Sequence, residues 1–256
     1  MTALIERHVD IPTPAGSMET FIARPAGGDR VPLVIVFMDV WGFRPQLCEI
    51  AARIAAHGYC SIVPSLYYRD GYKGTDFRNA SGRTLSMEVL PKEQSDAVRS
   101  HGMALTNAMV DADVGALLKF FESEPVSQGL AGSVGICMGG RHALYVAGTR
   151  PERMVASASL HGTRLVSDNP DSPHLMAEKF RGEIYCGFAE HDPYVPPDVV
   201  IKLDGLLANR PGLTYRSVVH PGVRHGYSIP DRDVYDRAAA EKDWAEIFAM
   251  YSRVLR

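Results

Sequence analysis

The sequence predicts an α/β fold built on a mostly parallel sheet with helices on both faces. Two observations lead there. Apolar runs alternate with amphipathic stretches along the whole length. The run Pro32–Phe37 is apolar at every position, as a strand covered on both sides must be. A chain of 256 residues suits one large α/β domain or two small ones. No repeat, low-complexity tract or linker divides it, so the expectation is a single domain over 1–256.

The elements follow in order. Two strands, Ile5–Ile11 and Met18–Ala23, flank the turn residues Pro14-Ala15-Gly16-Ser17. After the strand Pro32–Phe37 comes a helix from Gln46 to His57, with Gly58 as its stop signal. The next strand is Tyr59–Val63, ended by Pro64. Residues 65–92 read as a long irregular loop. Leu105, Met109, Ala112, Val114, Leu117 and Phe120 mark a helix over Met103–Glu122. A short strand, Gly132–Ile136, runs into a helix from about Arg141. Strands Met154–Leu160 and Glu183–Phe188, helix Pro197–Ala208, strand Leu213–Val219 and a final helix over Arg232–Leu255 complete the pattern.

Composition excludes several classes of function. Hydrophobic residues make up 46% and charged residues 22%, ordinary values for a globular protein. The formal charge is −3, from 27 basic and 30 acidic residues, so nucleic acid is not an expected partner. No run of 18 apolar residues marks a membrane span. The first residues, Met1 to His8, do not read as a signal peptide. Four cysteines are too few for a disulfide scaffold, and a cytoplasmic protein with free thiols is expected.

The segment Gly135-Ile136-Cys137-Met138-Gly139-Gly140 carries the most information. Between a strand and a helix, it reads as a nucleophile elbow. Glycines two residues before and after Cys137 let the chain turn back on itself, and the turn holds the thiol clear of the sheet. The Met138 N–H then becomes an oxyanion donor, and the positive end of the helix favours thiolate at Cys137. The competing reading is a structural cysteine in a Gly-rich turn. Cys48 and Cys60 fall on apolar faces and Cys186 lies mid-strand, so these three read as core residues.

A thiol nucleophile needs a base, and the base needs an orienting acid. Asp192, in the loop after the strand Glu183–Phe188, is the expected acid, and His225, in the loop after Leu213–Val219, is the expected base. Either alone reads as an ordinary loop residue. In the order nucleophile, acid, histidine, each beyond the C-terminal end of a strand, the three read as a triad.

With these residues in view, the sequence resembles the dienelactone hydrolase family of the α/β-hydrolase fold. The matching pieces are G-I-C-M-G-G at 135–140, G-F-A-E-H-D-P-Y-V-P at 187–196 and H-P-G-V-R-H-G-Y at 220–227, with P-S-L-Y-Y-R at 64–69 and M-D-V-W-G at 38–42. The resemblance implies a Cys137–His225–Asp192 triad, an oxyanion hole from the Met138 and Val40 amides, and an acidic residue at 39 touching the thiol. Family members usually carry glutamate there; this chain has the shorter Asp39. It also implies a carboxylic ester or lactone hydrolase that works through a thioester.

The family's substrate-binding arginine four residues after the histidine is replaced by Ile229, which has no guanidinium fork. The expected substrate is therefore a small ester or lactone, neutral or more apolar than dienelactone. Arg99, Arg83, Arg141 and Arg164 are alternative anion-binding candidates, with a solvated surface role as the competing reading. Trp41, Tyr67 and Tyr68 either line the pocket or pack in the core. Residues 65–92 and 170–179 are expected to shape the pocket. No metal or organic cofactor is expected, because no H-E-x-x-H or C-x-x-C grouping is present. A monomer and a homodimer fit the sequence equally. A non-catalytic binding or sensor protein on the same scaffold is the alternative function.

Overall fold

The computed structural model describes residues 3–27, 30–72, 74 and 77–255, and of Gln128 the backbone alone. The readings made on Met1, Thr2 and Arg256, and on residues 73, 75 and 76 of the long loop, lie outside these. One eight-stranded sheet organises the chain: β1 (Leu4–Thr13), β2 (Gly16–Pro25), β3 (Val31–Phe37), β4 (Cys60–Pro64), β5 (Val126–Ile136), β6 (Met154–Leu160), β7 (Gly182–His191) and β8 (Leu213–Arg224). Their spatial order is β1-β2-β4-β3-β5-β6-β7-β8. β2 runs antiparallel to β1 and β4; all the other pairs are parallel.

Among the described residues, six α-helices accompany these strands: α1 (Pro45–Ala56), α2 (Lys92–Ala104), α3 (Asn107–Phe120), α4 (Met138–Thr149), α5 (Pro197–Leu207) and α6 (Arg237–Val254). Side chains alternate between the two faces of a strand, so positions an odd number apart face opposite ways. A Cβ on Gly132 of β5 would meet Tyr251 and Leu255 in and just after α6; one on Gly135 would meet Gly139 of α4. These helices therefore cover opposite faces. His57, just past α1, stacks on Phe248 of α6 at 3.7 Å, and Arg150, just past α4, pairs with Asp111 of α3 at 2.8 Å. Each face thus carries a linked pair of helices.

The eight strands expected from sequence are all present, several of them longer than predicted. β5 starts at Val126 and pairs there with Val31 of β3. β8 runs on to Arg224 and pairs there with His191 of β7. Helix α2 is the largest departure. Its sequence buries only Ser95, Val98 and Gly102, too little apolar surface to set a period. The predicted Met103–Glu122 helix starts later, where the Thr106 hydroxyl accepts a hydrogen bond from Met109 N at 3.1 Å. Helix α4 starts three residues earlier than expected, and α6 starts later, capped by Asp236. No helix among the described residues is long and apolar enough to cross a membrane.

Candidate active site

The site lies beyond the C-terminal ends of β5, β7 and β8. Cys137 stands between β5 and α4 with φ +53° and ψ −115°, a backbone conformation that costs a non-glycine residue about 1–3 kcal/mol. Its neighbours allow the turn. A Cβ on Gly135 would lie 2.0 Å from the Gly139 carbonyl oxygen, and one on Gly139 would lie 2.2 Å from the Phe37 carbonyl oxygen. The Cys137 amide donates to Leu160 O, while its carbonyl accepts from Gly140 N and Thr163 N. The elbow is therefore held by backbone bonds on both sides. Its thiol sits at the N-terminus of α4, where the helix dipole favours negative charge.

His225 Nε2 lies 3.1 Å from Cys137 Sγ, and His225 Nδ1 lies 2.7 Å from Asp192 Oδ2. Tyr194 N donates to the other Asp192 oxygen at 2.8 Å, which fixes the carboxylate's rotation. All three side chains are buried. The rings of His161 and Tyr194 meet the His225 ring edge to face, with centroids 4.7 and 4.8 Å away. Burial works against a charge on His225, but Cys137 and Asp192 outweigh it and lift the imidazole from 6.5 to about 10. The charged imidazolium is thus favoured beside the thiol. The other cysteines have no such surroundings. Burial pushes Cys48 up to about 11 and Cys60 up to about 12, and raises Cys186 further.

Cys137 opens into a cavity of about 230 Å³. Val40, Met138, Met87, Met103 and Thr163 line it along with the thiol. Among the described residues, neither the Val40 nor the Met138 N–H meets a protein acceptor. Tyr67 does not line the cavity. Its buried hydroxyl donates to Val40 O at 3.1 Å and contacts Met138 Sδ at 3.5 Å, bracing both from behind.

Three arginines, Arg99, Arg141 and Arg164, also line the cavity. Arg141 is buried and donates to the Gly102 and Leu105 carbonyls at 2.7 and 2.9 Å. Burial first, then the nearby Arg164, pull its guanidinium down to about 10. Among the described residues, no carboxylate forms an ion pair with either arginine. Arg99 reaches the Tyr194 hydroxyl at 3.5 Å. Arg83 is exposed and away from the cavity. Of the two stretches expected to shape the pocket, 65–92 contributes Met87 and 170–179 contributes nothing; α2 builds the wall instead.

One expectation needs correction. Asp39 does not face the thiol. Its carboxylate is fully buried and takes two hydrogen bonds from Arg44, at 2.6 and 2.9 Å, and one from Trp41 N at 3.1 Å. Its short side chain, two residues before Trp41, closes its own turn. Trp41 is a core residue with the Arg232 guanidinium over its ring at 5.2 Å, and it lines no part of the cavity. Tyr68 is likewise held structurally, bonding Thr13 and Asp113 at 2.7 Å. Ile229 is fully buried in the core and offers nothing to a ligand. Sequence reasoning passed over His161, Tyr194 and Arg44. Tyr194 was within reach, since it lies inside the segment that carries Asp192.

A thiol hydrogen-bonded to a carboxylate-anchored imidazole, on a strand–elbow–helix of a mostly parallel sheet, defines an α/β hydrolase with a cysteine elbow. The sequence profile of the Dienelactone hydrolase family matches residues 18–255, and the chain belongs to that family. It is a hydrolase of the carboxylic ester and lactone class. A Synechocystis sp. protein named "Putative carboxymethylenebutenolidase" is 23% identical, over 97% of this chain and 96% of its own length. A Bradyrhizobium protein named "Probable 2-oxo-3-(5-oxofuran-2-ylidene)propanoate lactonase" is 24% identical, over 92% of this chain and 89% of its own length. A crystal structure titled "Putative Dienelactone Hydrolase", from Klebsiella pneumoniae, shares the fold with a TM-score of 0.83. It is 22% identical and covers 98% of this chain and 99% of its own.

Proposed function

We propose that the protein hydrolyses a small ester or lactone through Cys137, His225 and Asp192, with a covalent thioester on Cys137. The 3.1 and 2.7 Å contacts from thiol to imidazole to carboxylate, at the wall of a cavity, carry this reading. The thiolate attacks the carbonyl carbon. The carbonyl oxygen becomes an oxyanion held by the Met138 and Val40 amides, each such donor being worth about 3 kcal/mol. As the carbonyl re-forms, the C–O bond breaks and His225 Nε2–H protonates the leaving alkoxide. In a lactone that alkoxide stays tethered to the acyl group. His225 then takes a proton from water, the hydroxide attacks the thioester, and the thiolate leaves the carboxylic acid product. Asp192 holds the imidazole tautomer and stabilises the imidazolium.

The arginines change the expected substrate. Ile229 pointed to a neutral molecule, but two guanidiniums that form no ion pair with a described carboxylate, Arg141 feeling only the weaker pull of Asp171, suit a carboxylate on the substrate. The relatives' lactonase and butenolidase names agree with a lactone acid.

The test is turnover of a dienelactone carboxylate, a neutral lactone of similar size and a short p-nitrophenyl ester, with Cys137→Ala alongside. Hydrolysis that disappears in the folded variant is expected. Wild-type turnover by Cys137→Ala would overturn the nucleophile assignment. No turnover by the wild type on any of the three would favour a binding or sensor role.

A further inference from the structure

His161 follows β6 directly, fully buried, with a positive φ of 38°. The proposed hydrolysis does not use it. One of its ring nitrogens, together with Cys137 Sγ and a nitrogen of His225, belongs to a set of three donor atoms that all lie within 4.8 Å of one another. His161 Nε2 bonds Ser228 Oγ at 2.8 Å, and Nδ1 is buried without a partner among the described residues. A buried imidazole nitrogen left unsatisfied beside a thiol and a second imidazole is an unusual arrangement, since buried polar atoms are normally hydrogen-bonded.

We propose that Cys137, His161 and His225 form a site for a zinc-class divalent ion, and that filling it switches hydrolysis off. Thiolate and imidazole are the donors that such an ion prefers, at about 2.3 Å for sulfur and about 2.0–2.1 Å for nitrogen. Tetrahedral angles then put donor pairs about 3.5 Å apart. The Cys137–His225 pair already stands at 3.1 Å, so only His161 has to close in. Both histidines have outer partners of the kind that orient metal ligands: Asp192 for His225 and Ser228 for His161. The cavity gives the ion a route in and leaves a fourth position for water. Binding would displace one proton from the Cys137–His225 pair into solvent. The ion would occupy both the nucleophile and the base, so it would act as an inhibitor and not as a cofactor.

The site depends on donor geometry and not on turnover, so a spectroscopic test separates it from the hydrolase reading. Titration of the full chain with Co2+ should give one bound ion per chain and a thiolate-to-cobalt charge-transfer band, absent in Cys137→Ser. Zn2+ should inhibit hydrolysis, and EDTA should restore it. His161→Gln should raise the dissociation constant for both ions tenfold or more. If that variant does not fold, Ser228→Ala takes its place: it keeps all three donors but frees the His161 ring, and a several-fold weakening is expected. Wild-type affinity in the folded variant that decides the test would overturn the proposal, as would a cobalt band that survives in Cys137→Ser.

Discussion

Arg44 Nε donates to Asp231 Oδ2 at 2.7 Å, across 187 residues of sequence. The same guanidinium takes Asp39 with its other two nitrogens. One side chain therefore ties the turn that carries Val40 to the loop that follows His225. Burial opposes its charge, and the two carboxylates more than restore it. The proposed oxyanion donor and the proposed base are positioned relative to each other through this link.

Removing Arg44 should be far more damaging than removing a surface arginine. Arg44→Ala would leave Asp231 without its cation and Asp39 with only the longer 3.9 Å contact to Arg232, and breaking a buried pair in this way typically costs about 3–5 kcal/mol. Urea unfolding measures it. Arg44→Lys keeps a charge but not the two-sided fork, and should fall between Arg44→Ala and the wild type. A loss below about 1 kcal/mol in Arg44→Ala would mean that the two loops are held by other contacts.

The pH dependence of stability should report the Cys137–His225 pair. His225 titrates near 6.5 when unperturbed and near 10 in the fold. A group whose folded value is raised contributes stability that is complete below the unfolded value and is lost as pH rises through the folded one. The window is therefore pH 6.5 to 10. Burial works against the shift, and Cys137 is the largest influence that produces it. Cys137→Ala should thus show a smaller contribution, lost at lower pH. Parallel melting-temperature profiles for the two proteins across this window would show that His225 is charged by something other than the thiol.

Tyr67 should act as a positioning residue. Its hydroxyl bond to Val40 O is worth about 0.5–1.5 kcal/mol, and Tyr67→Phe removes it while keeping the ring against Tyr72 and His101. The expected result is a kcat lower by about two- to tenfold with KM held, because Val40 would stabilise charge that exists only in the transition state. A rise in KM at constant kcat would place Tyr67 in ground-state binding instead.

What the sequence made legible was local. The elbow could be read because glycine spacing, strand and helix all lie within a dozen residues. Asp192 and His225 could be read because each follows a strand in a fixed order. Helix α2 was missed because it is polar and buries little. Arg44 gave no signal because its second partner, Asp231, lies in a distant loop. His161 is one histidine before one glycine, with no ligand spacing around it; only the sheet brings it to Cys137 and His225. Ile229 gave a local signal of a different kind. It showed where one arginine is missing, while Arg141 and Arg164 reach the cavity from other elements.

Those two arginines give the last prediction. Arg141 also holds the Gly102 and Leu105 carbonyls, so its removal would disturb the wall of α2 as well as any ligand. Arg164 is the cleaner probe. Its guanidinium rests on Met103 Sδ, and no ion pair with a described carboxylate ties it elsewhere. Its φ of +55° is better tolerated by asparagine than by most residues, so Arg164→Asn removes the charge with little backbone strain. A hydrogen bond to a charged group contributes about 1.5–3 kcal/mol. The ratio of kcat/KM for a carboxylate-bearing lactone to that for a neutral lactone should therefore fall about tenfold or more in this variant. Added salt should lower the same ratio in the wild type, since part of the attraction is screened at the cavity mouth. A ratio that Arg164→Asn leaves unchanged would mean that the arginines face the cavity without reading the substrate's charge, and would return the substrate to the neutral class that Ile229 first suggested.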